Sequence, residues 1–260
     1  MQKVIVITGT GSGIGLATAN YLIEKGYKVY GISRREHKDA TFPSYACDVR
    51  DGGRINAILA EIAAKEGGIY ALVNNAGYGI SGAVERHDGE RVREMFDVDV
   101  CATVNLCAAA IPYLRATGGR IINIGSVASV IPIPFQACYS AAKAAVENFS
   151  RALANELRPF KIKVTCILPG DTATGFTDSR IKFGDDGAYC GKVEKSVSKM
   201  ERDERNGKSP LTVAKAVFKA INSKRPPLRI TVGAEYKFIV FIARLLPLKT
   251  VNYIVSKLYT

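Results

Sequence analysis

From its first residues the chain alternates short, β-branched, uniformly apolar runs with longer stretches of helical spacing, and that alternation limits what it can fold into. Residues 3–7, 28–33, 69–73, 120–125, 163–168 and 229–232 read as strands. Residues 13–25, 55–65, 92–114, 139–157 and 210–221 read as helices. Strands that alternate with helices build a parallel sheet with helices on both faces. Burial on both faces is also why such strands are apolar throughout rather than at every second residue. No internal repeat or low-complexity linker interrupts the pattern, so one α/β domain over residues 1–260 is expected. Two segments break the rhythm. Residues 175–209 are polar, charged and glycine-bearing without clear strand character, as a lid or binding loop would be. Residues 236–259 form a hydrophobic tail.

Composition narrows the class by exclusion. With 260 residues, 47% hydrophobic and 23% charged, the chain is neither collagenous, disordered nor a small cystine scaffold. A chain of this length buries enough surface to need no metal or disulfide. Its six cysteines are scattered without a C-x-x-C spacing, so no metal site is expected, and several lie in apolar runs that suit buried thiols in a reducing cytoplasm. The N-terminus lacks a signal-peptide core. No run of about 20 residues is uncharged and apolar enough to span a bilayer; residues 238–248 come nearest but carry Arg244 and Pro247. The formal net charge is +12, and residues 182–260, with 16 Lys and Arg against 7 Asp and Glu, hold +9 of it. Such a balance suits a solvated basic surface, an anionic membrane or an anionic small molecule. Nucleic acid is not expected, since there is no recognition motif, no Trp, and no interleaving of basic with aromatic residues.

The first strand runs into Thr8-Gly9-Thr10-Gly11-Ser12-Gly13-Ile14-Gly15 and then a helix. Glycines there let the backbone turn tightly and approach a pyrophosphate, whose charge meets the N–H groups and dipole of a helix N-terminus. A carboxylate about 20 residues on, after the second strand, would bind the ribose 2′-hydroxyl of NAD. This chain has Ser33-Arg34-Arg35 there instead. Two guanidiniums suit a 2′-phosphate, so the expected cofactor is NADP(H).

Further motifs follow in one order: Asp48-Val49, Asn74-Asn75-Ala76-Gly77, Ser126, Tyr139-Ser140-Ala141-Ala142-Lys143, and Pro169-Gly170-x3-Thr174. Over about residues 3–232 the chain resembles the short-chain dehydrogenase/reductase family in its single-domain form of roughly 250 residues. The resemblance implies a Rossmann-type, doubly wound parallel sheet, a nicotinamide cofactor and reversible carbonyl/alcohol chemistry. It implies that Gly9, Gly11, Ser12, Gly13, Ile14 and Gly15 cradle the cofactor and that Asp48 and Val49 hold its adenine. Asn75, Ala76, Gly77, Pro169, Gly170 and Thr172 would line it further, with Thr174 at the nicotinamide end. It also implies a homodimer or homotetramer built on the helices at 92–114 and 139–157.

The chemistry can be read from the residues as well. Reducing a ketone takes a hydride on carbon, which the cofactor supplies, and a proton on oxygen, which the protein must supply. Tyr139 and Lys143 lie four apart on one helix face. A nearby ammonium favours the tyrosinate and brings a phenol into acid–base range. By the resemblance Lys143 also bonds the nicotinamide ribose. Ser126, just past a strand, stands where open α/β sheets build their sites and can hold the substrate oxygen. One position departs from the family pattern. Asp99, in Phe96-Asp97-Val98-Asp99-Val100, occupies the place where the family usually has an asparagine that helps hold a proton-relaying water chain. A carboxylate accepts such bonds but donates none unless protonated, and it brings negative charge near Lys143.

Residues 127–135, between the serine and the tyrosine, are apolar and uncharged, which points to a bulky lipophilic carbonyl or alcohol. The runs 209–217 and 225–230 are loosely similar to the 17β-hydroxysteroid and retinol dehydrogenase branch, which implies steroid-, bile-acid- or retinoid-like substrates. Two rivals are a non-catalytic NADP(H) sensor or interaction module and a 3-oxoacyl carrier-protein reductase. Pro247 should divide the tail into two short helices. The first is apolar almost all round and must be buried in something: the chain's own cleft, a second subunit or a membrane surface, where basic anchors would help.

Overall fold

The structure is a computed structural model and describes residues 2–35, 40–184 and 187–260. In chain order its elements begin with β1 (Val4–Thr8), α1 (Gly13–Glu24), β2 (Lys28–Ser33), β3 (Ser44–Ala46), α2 (Gly52–Glu66), β4 (Ala71–Asn74) and β5 (Ile80–Ser81). Then come α3 (Gly89–Phe96), α4 (Ala102–Arg115), β6 (Arg120–Ile124), α5 (Ala137–Glu156), β7 (Lys163–Pro169), α6 (Phe176–Ser179) and β8 (Ile181–Lys182). The chain closes with α7 (Lys192–Arg205), α8 (Pro210–Asn222), β9 (Arg229–Val232), α9 (Ala234–Leu245) and α10 (Leu248–Tyr259).

Seven strands pair in parallel in the order β3-β2-β1-β4-β6-β7-β9, the doubly wound sheet expected from the alternation. Every residue of β1 and β4 is buried, because both sheet faces are covered. Ile58, Leu59, Leu106, Ala110 and Leu153, from α2, α4 and α5, pack on one face. Ala19, Leu22, Val213 and Val217, from α1 and α8, pack on the other. The winding reverses between β1 and β4. Ligands of open α/β sheets bind at the strand C-termini beside such a switch point, and the glycine loop and Asn75 follow those two strands.

Three features differ from the sequence expectation. The helix expected over 92–114 is α3 and α4 joined by a π-helical turn, Asp97–Cys101, at whose centre sits Asp99. This run, Gly89–Arg115, is also long and apolar enough to cross a membrane, which a search for uncharged stretches overlooks. Its Met95, Leu106, Cys107, Ala110 and Leu114 are instead packed in the domain. Segment 175–209 is not irregular: it contains α6, β8 paired in parallel with β5, and the 14-residue α7. Positions 185–186 of that segment lie outside the described residues. Lastly, the tail is two helices broken at Pro247, but burial reaches only Val240 of α9 and Val251 and Val255 of α10. Phe238 (65%), Phe241 (57%), Leu245 (66%) and Leu248 (73%) are exposed, so of the three expected partners the chain itself covers only part of the first helix.

Candidate active site

The glycine loop has the backbone a dinucleotide site requires. Gly9 and Gly13 have φ of +72° and +57°, a region that side-chain-bearing residues rarely adopt. A Cβ on Gly15 would stand 2.2 Å from the Gly9 carbonyl oxygen, so α1 can approach the loop only with glycine there. Over Gly11 the space is open. Ser12 caps α1 without a side-chain hydrogen bond, which leaves the first-turn N–H groups for an anion. The Thr8 hydroxyl accepts from the backbone N–H of Asn75 (3.0 Å) and Ala76 (3.1 Å), and the Asn75 amide donates to the carbonyls of Thr8 (3.0 Å) and Gly9 (3.2 Å). These bonds lock the loop after β1 to the segment after β4. The residues fit a dinucleotide.

One cleft of about 1060 Å³ gathers nearly all the expected site residues. Gly9, Gly11, Ser12, Gly13, Ile14, Arg34, Arg35, Asp48, Val49, Asn75, Ala76 and Gly77 line one half. Ser126, Tyr139, Lys143, Pro169, Gly170, Thr172 and Thr174 line the middle. Gly15 and Asp99 are not on its wall: Gly15 packs behind the loop, and Asp99 lies behind Gly77 and Lys143. Arg34 and Arg35 are exposed at the end of β2. The Asp48 carboxylate is gripped by Arg50, at 3.1 and 2.8 Å. That bond holds it below the usual aspartate range.

On α5 a polar stripe faces inward. Tyr139, Lys143, Glu147 and Ser150 are all buried, one helical turn apart. Lys143 Nζ lies 2.8 Å from Asp99 Oδ2, with both side chains almost wholly buried. The other Asp99 oxygen accepts from the Tyr78 backbone N–H at 3.0 Å. Both carboxylate oxygens thus face donors, and the pair is read as ionised. Burial pushes Asp99 upward against the pull of Lys143. Burial alone would lower Lys143, but Asp99 and Tyr139 outweigh it and hold the ammonium above the usual lysine value. Burial also raises the Tyr139 phenol; Lys143 pulls it back, Asp99 pushes it further up, and Ser126 lowers it. The Lys143 ammonium stands 5.6 Å from the centre of the Tyr139 ring. With Ser126 at the head of a short turn beside it, the arrangement can deliver a proton to an oxygen held in the cleft.

Several supporting residues escaped the sequence reading. Glu147, one turn beyond Lys143, pairs with Arg229 of β9 and accepts from the Ser129 hydroxyl, fixing the turn after Ser126. Its spacing from Lys143 was the available signal. Ser150 accepts from the Asn123 amide (2.8 Å), whose oxygen accepts from Asn74 (2.8 Å), tying α5 to β6 and β4. Phe176 of α6 lies against Tyr139, with ring centres 5.6 Å apart. Tyr236 of α9 donates to Asp171, anchoring the tail beside Gly170. Val127, Ala128, Ile131 and Ile133 line the far half of the cleft, facing Ile239, Ile242, Leu246 and Ile254 of the tail. Among the described residues no group of three or more His, Cys, Asp or Glu side chains is placed to hold a metal ion. Cys107 and Cys166 are pushed by burial up to about 12, so these thiols are inert.

This site on this sheet defines a dinucleotide-dependent oxidoreductase. The sequence profile described as short chain dehydrogenase matches residues 3–183, and the chain belongs to that family. A 3-ketodihydrosphingosine reductase from Bacteroides thetaiotaomicron is 40% identical over 236 residues, 89% of this chain and 88% of that one. A probable short-chain type dehydrogenase/reductase, VdlC, from Helicobacter pylori is 30% identical, over 93% and 92%. The crystal structure of a short-chain dehydrogenase from Streptomyces avermitilis superposes with a TM-score of 0.84 at 30% identity, over 99% of this chain and 96% of that one.

Proposed function

We propose that the protein is an NADPH-dependent reductase of lipophilic ketones, reversible toward the secondary alcohols, and that long-chain 3-keto amphiphiles are its substrate class. The observation that carries this reading is the buried Tyr139–Lys143–Asp99 cluster, which opens past Ser126 into a cleft half that is apolar on both walls. The likeness to a 3-ketodihydrosphingosine reductase favours a flexible chain over the steroid-, bile-acid- or retinoid-like substrates suggested by residues 209–217 and 225–230.

NADPH, when bound along the glycine loop with its 2′-phosphate toward Arg34 and Arg35, would supply the hydride. The chain's own residues do the rest. Ser126 Oγ bonds the substrate carbonyl oxygen. Tyr139, kept neutral by burial and by Asp99, donates its proton to that oxygen as charge develops there. Lys143 stabilises the phenolate left behind, and Asp99 holds Lys143 in place. Because Asp99 raises the phenol where Lys143 lowers it, the pairing keeps Tyr139 protonated and ready to act as the acid in reduction. Segment 175–209 acts as the cover, with Phe176 closing over Tyr139 and excluding water. Self-association through the outer faces of α4 and α5 is part of the same reading.

The test is initial-rate assay with NADPH and NADH against a long-chain 3-keto amphiphile, a 3-ketosteroid, retinal and a short diketone. A preference of at least tenfold for the long-chain ketone with NADPH is expected. Turnover confined to the rigid polycyclic ketones, or faster with NADH, would reject the substrate class or the cofactor assignment respectively.

A further inference from the structure

We infer that α9 and α10 form a docking face for a bilayer carrying anionic phospholipid, with a basic pocket beside α9 receiving the headgroup phosphate. The inference deepens the proposed function by saying how a lipophilic substrate reaches the cleft. It rests on that reading only for the delivery step.

Three faces of α9 do different things. Val240 turns inward onto Ile131, Val251 and Val255. Ile239, Ile242 and Leu246 line the catalytic cleft. Lys237, Phe241 and Arg244, with the edge of Val240, line a second pocket of about 400 Å³, to which α8 and β9 add Lys219, Arg229 and Thr231 among others. One helix is therefore the shared wall of the catalytic cleft and a pocket with four cations. Within that pocket Arg229 is held by Glu147, whereas Lys219, Lys237 and Arg244 have no carboxylate partner among the described residues. Burial and the nearby Arg244 charge both press Arg229 downward, which an incoming anion would relieve.

The outer ridge is apolar. Phe241, Leu245, Leu248 and Tyr253 stand in solvent and take no part in the catalytic cleft. Such a patch, rimmed by charge, marks an interaction surface. Its charges choose the partner. Lys237, Arg244, Lys249 and Lys257 are all positive, and Glu235, the only acid in the two helices, is taken by Lys208. A second copy packed on this face about a two-fold axis would bring like charges together. An anionic bilayer neutralises them and buries Phe, Leu and Tyr at the depth where interfacial helices rest. With the ridge seated in the headgroup layer, the cleft wall that α9 and α10 supply lies next to the lipid surface.

Co-sedimentation of the full chain with vesicles tests this without any turnover. Recovery with vesicles of phosphatidylcholine containing phosphatidylglycerol is expected, with little on phosphatidylcholine alone and with release by salt. Lys237→Glu with Arg244→Glu should lower partitioning by on the order of tenfold or more. Lys237→Gln with Arg244→Gln, a milder change, should lower it less. Phe241→Ser with Leu245→Ser should lower it too, while leaving NADPH-dependent turnover of a water-soluble ketone unchanged. Wild-type protein that stays in the supernatant with both vesicles overturns the inference, as do variants that bind like wild type. A concentration-dependent dimer in gel filtration that Phe241→Ser with Leu245→Ser abolishes would assign the face to a second copy instead. Turnover in detergent with no vesicle binding removes the docking face alone, and vesicle binding with no ketone turned over removes the proposed function alone.

Discussion

The two ends of the cleft are built on different plans. At the cofactor end, position is set by backbone and paired charge: Gly9 and Gly13 at positive φ, Gly15 against a carbonyl, Thr8 bonded to Asn75 and Ala76, and Asp48 gripped by Arg50. At the substrate end, the walls are largely apolar side chains from 127–135 and from α9 and α10, and the tail is held by the buried Val240, Val251 and Val255 and by the bond from Tyr236 to Asp171. The first plan tolerates few residue types at each position. The second tolerates many, since aliphatic groups of similar volume substitute for one another at modest cost. The common feature is binding at the C-terminal edge of a fixed sheet, and the variable one is the shape of what is bound.

The largest expected effect lies where the two ends meet. Tyr139→Phe removes the proton donor and little else, so turnover should fall by roughly 10²–10⁴-fold. Binding of NADPH, followed by its fluorescence, should stay near wild type. Activity above about one per cent would take Tyr139 out of the acid role.

The buried pair behind Tyr139 comes next. Lys143→Met strands the Asp99 carboxylate in a dry site and should cost about 3–5 kcal/mol in urea unfolding. Adding Asp99→Asn to that variant should recover most of the loss, and if the double variant is as unstable as the single one, the pair is not coupled. Asp99→Asn alone tests the electrostatics. It removes the carboxylate that pushes Tyr139 and Lys143 upward. The phenol and the ammonium then both lose their protons at lower pH. The alkaline fall of the reduction rate should therefore move toward acid, and superimposable pH profiles would show that Asp99 does not tune the site.

How much of this was legible in the sequence divides along the same line. The sheet was readable because strands buried on both faces are apolar at every position, and the glycine loop because its backbone admits few alternatives. β3 escaped because Ser44–Ala46 is three residues with little apolar pattern. α7 escaped because its charged residues mask the stripe of Val193, Val197 and Met200, which spacing i, i+4, i+7 could have revealed. The π-helical turn at Asp97–Cys101 left no trace in the periodicity, although it sets Asp99 against Lys143. What covers the tail was not legible, because hydrophobicity says that a surface wants covering, not whether its own chain, a second subunit or a membrane covers it.

Cofactor choice is the next smaller effect and tests whether charge alone tunes the cofactor end. Replacing Arg34 and Arg35 together with carboxylate-bearing residues should cost roughly 1.5–3 kcal/mol of NADPH binding, about ten- to a hundredfold in KM, with NADH improved. A wild-type enzyme that already prefers NADH would overturn the reading of residues 33–35.

The smallest effect is the sharpest test of the contrast, because it compares neighbours on one helix. Val240 and Phe241 are adjacent on α9, yet Val240 is buried on Ile131 while the larger Phe241 ring stands mostly in water. If the tail is held by its few inward anchors, Val240→Ala should cost about 2 kcal/mol, from two buried methyl groups and the space they leave. Phe241→Ser removes a larger side chain, but more than half of it already stands in water, so its cost should stay below that of Val240→Ala, at about 1 kcal/mol. The same denaturant titration on both variants decides it. A cost for Phe241→Ser that matches or exceeds the cost for Val240→Ala would mean that the ring is buried in the protein in solution, by a second chain or by a closed tail, and that the apolar ridge is part of the fold rather than a free surface.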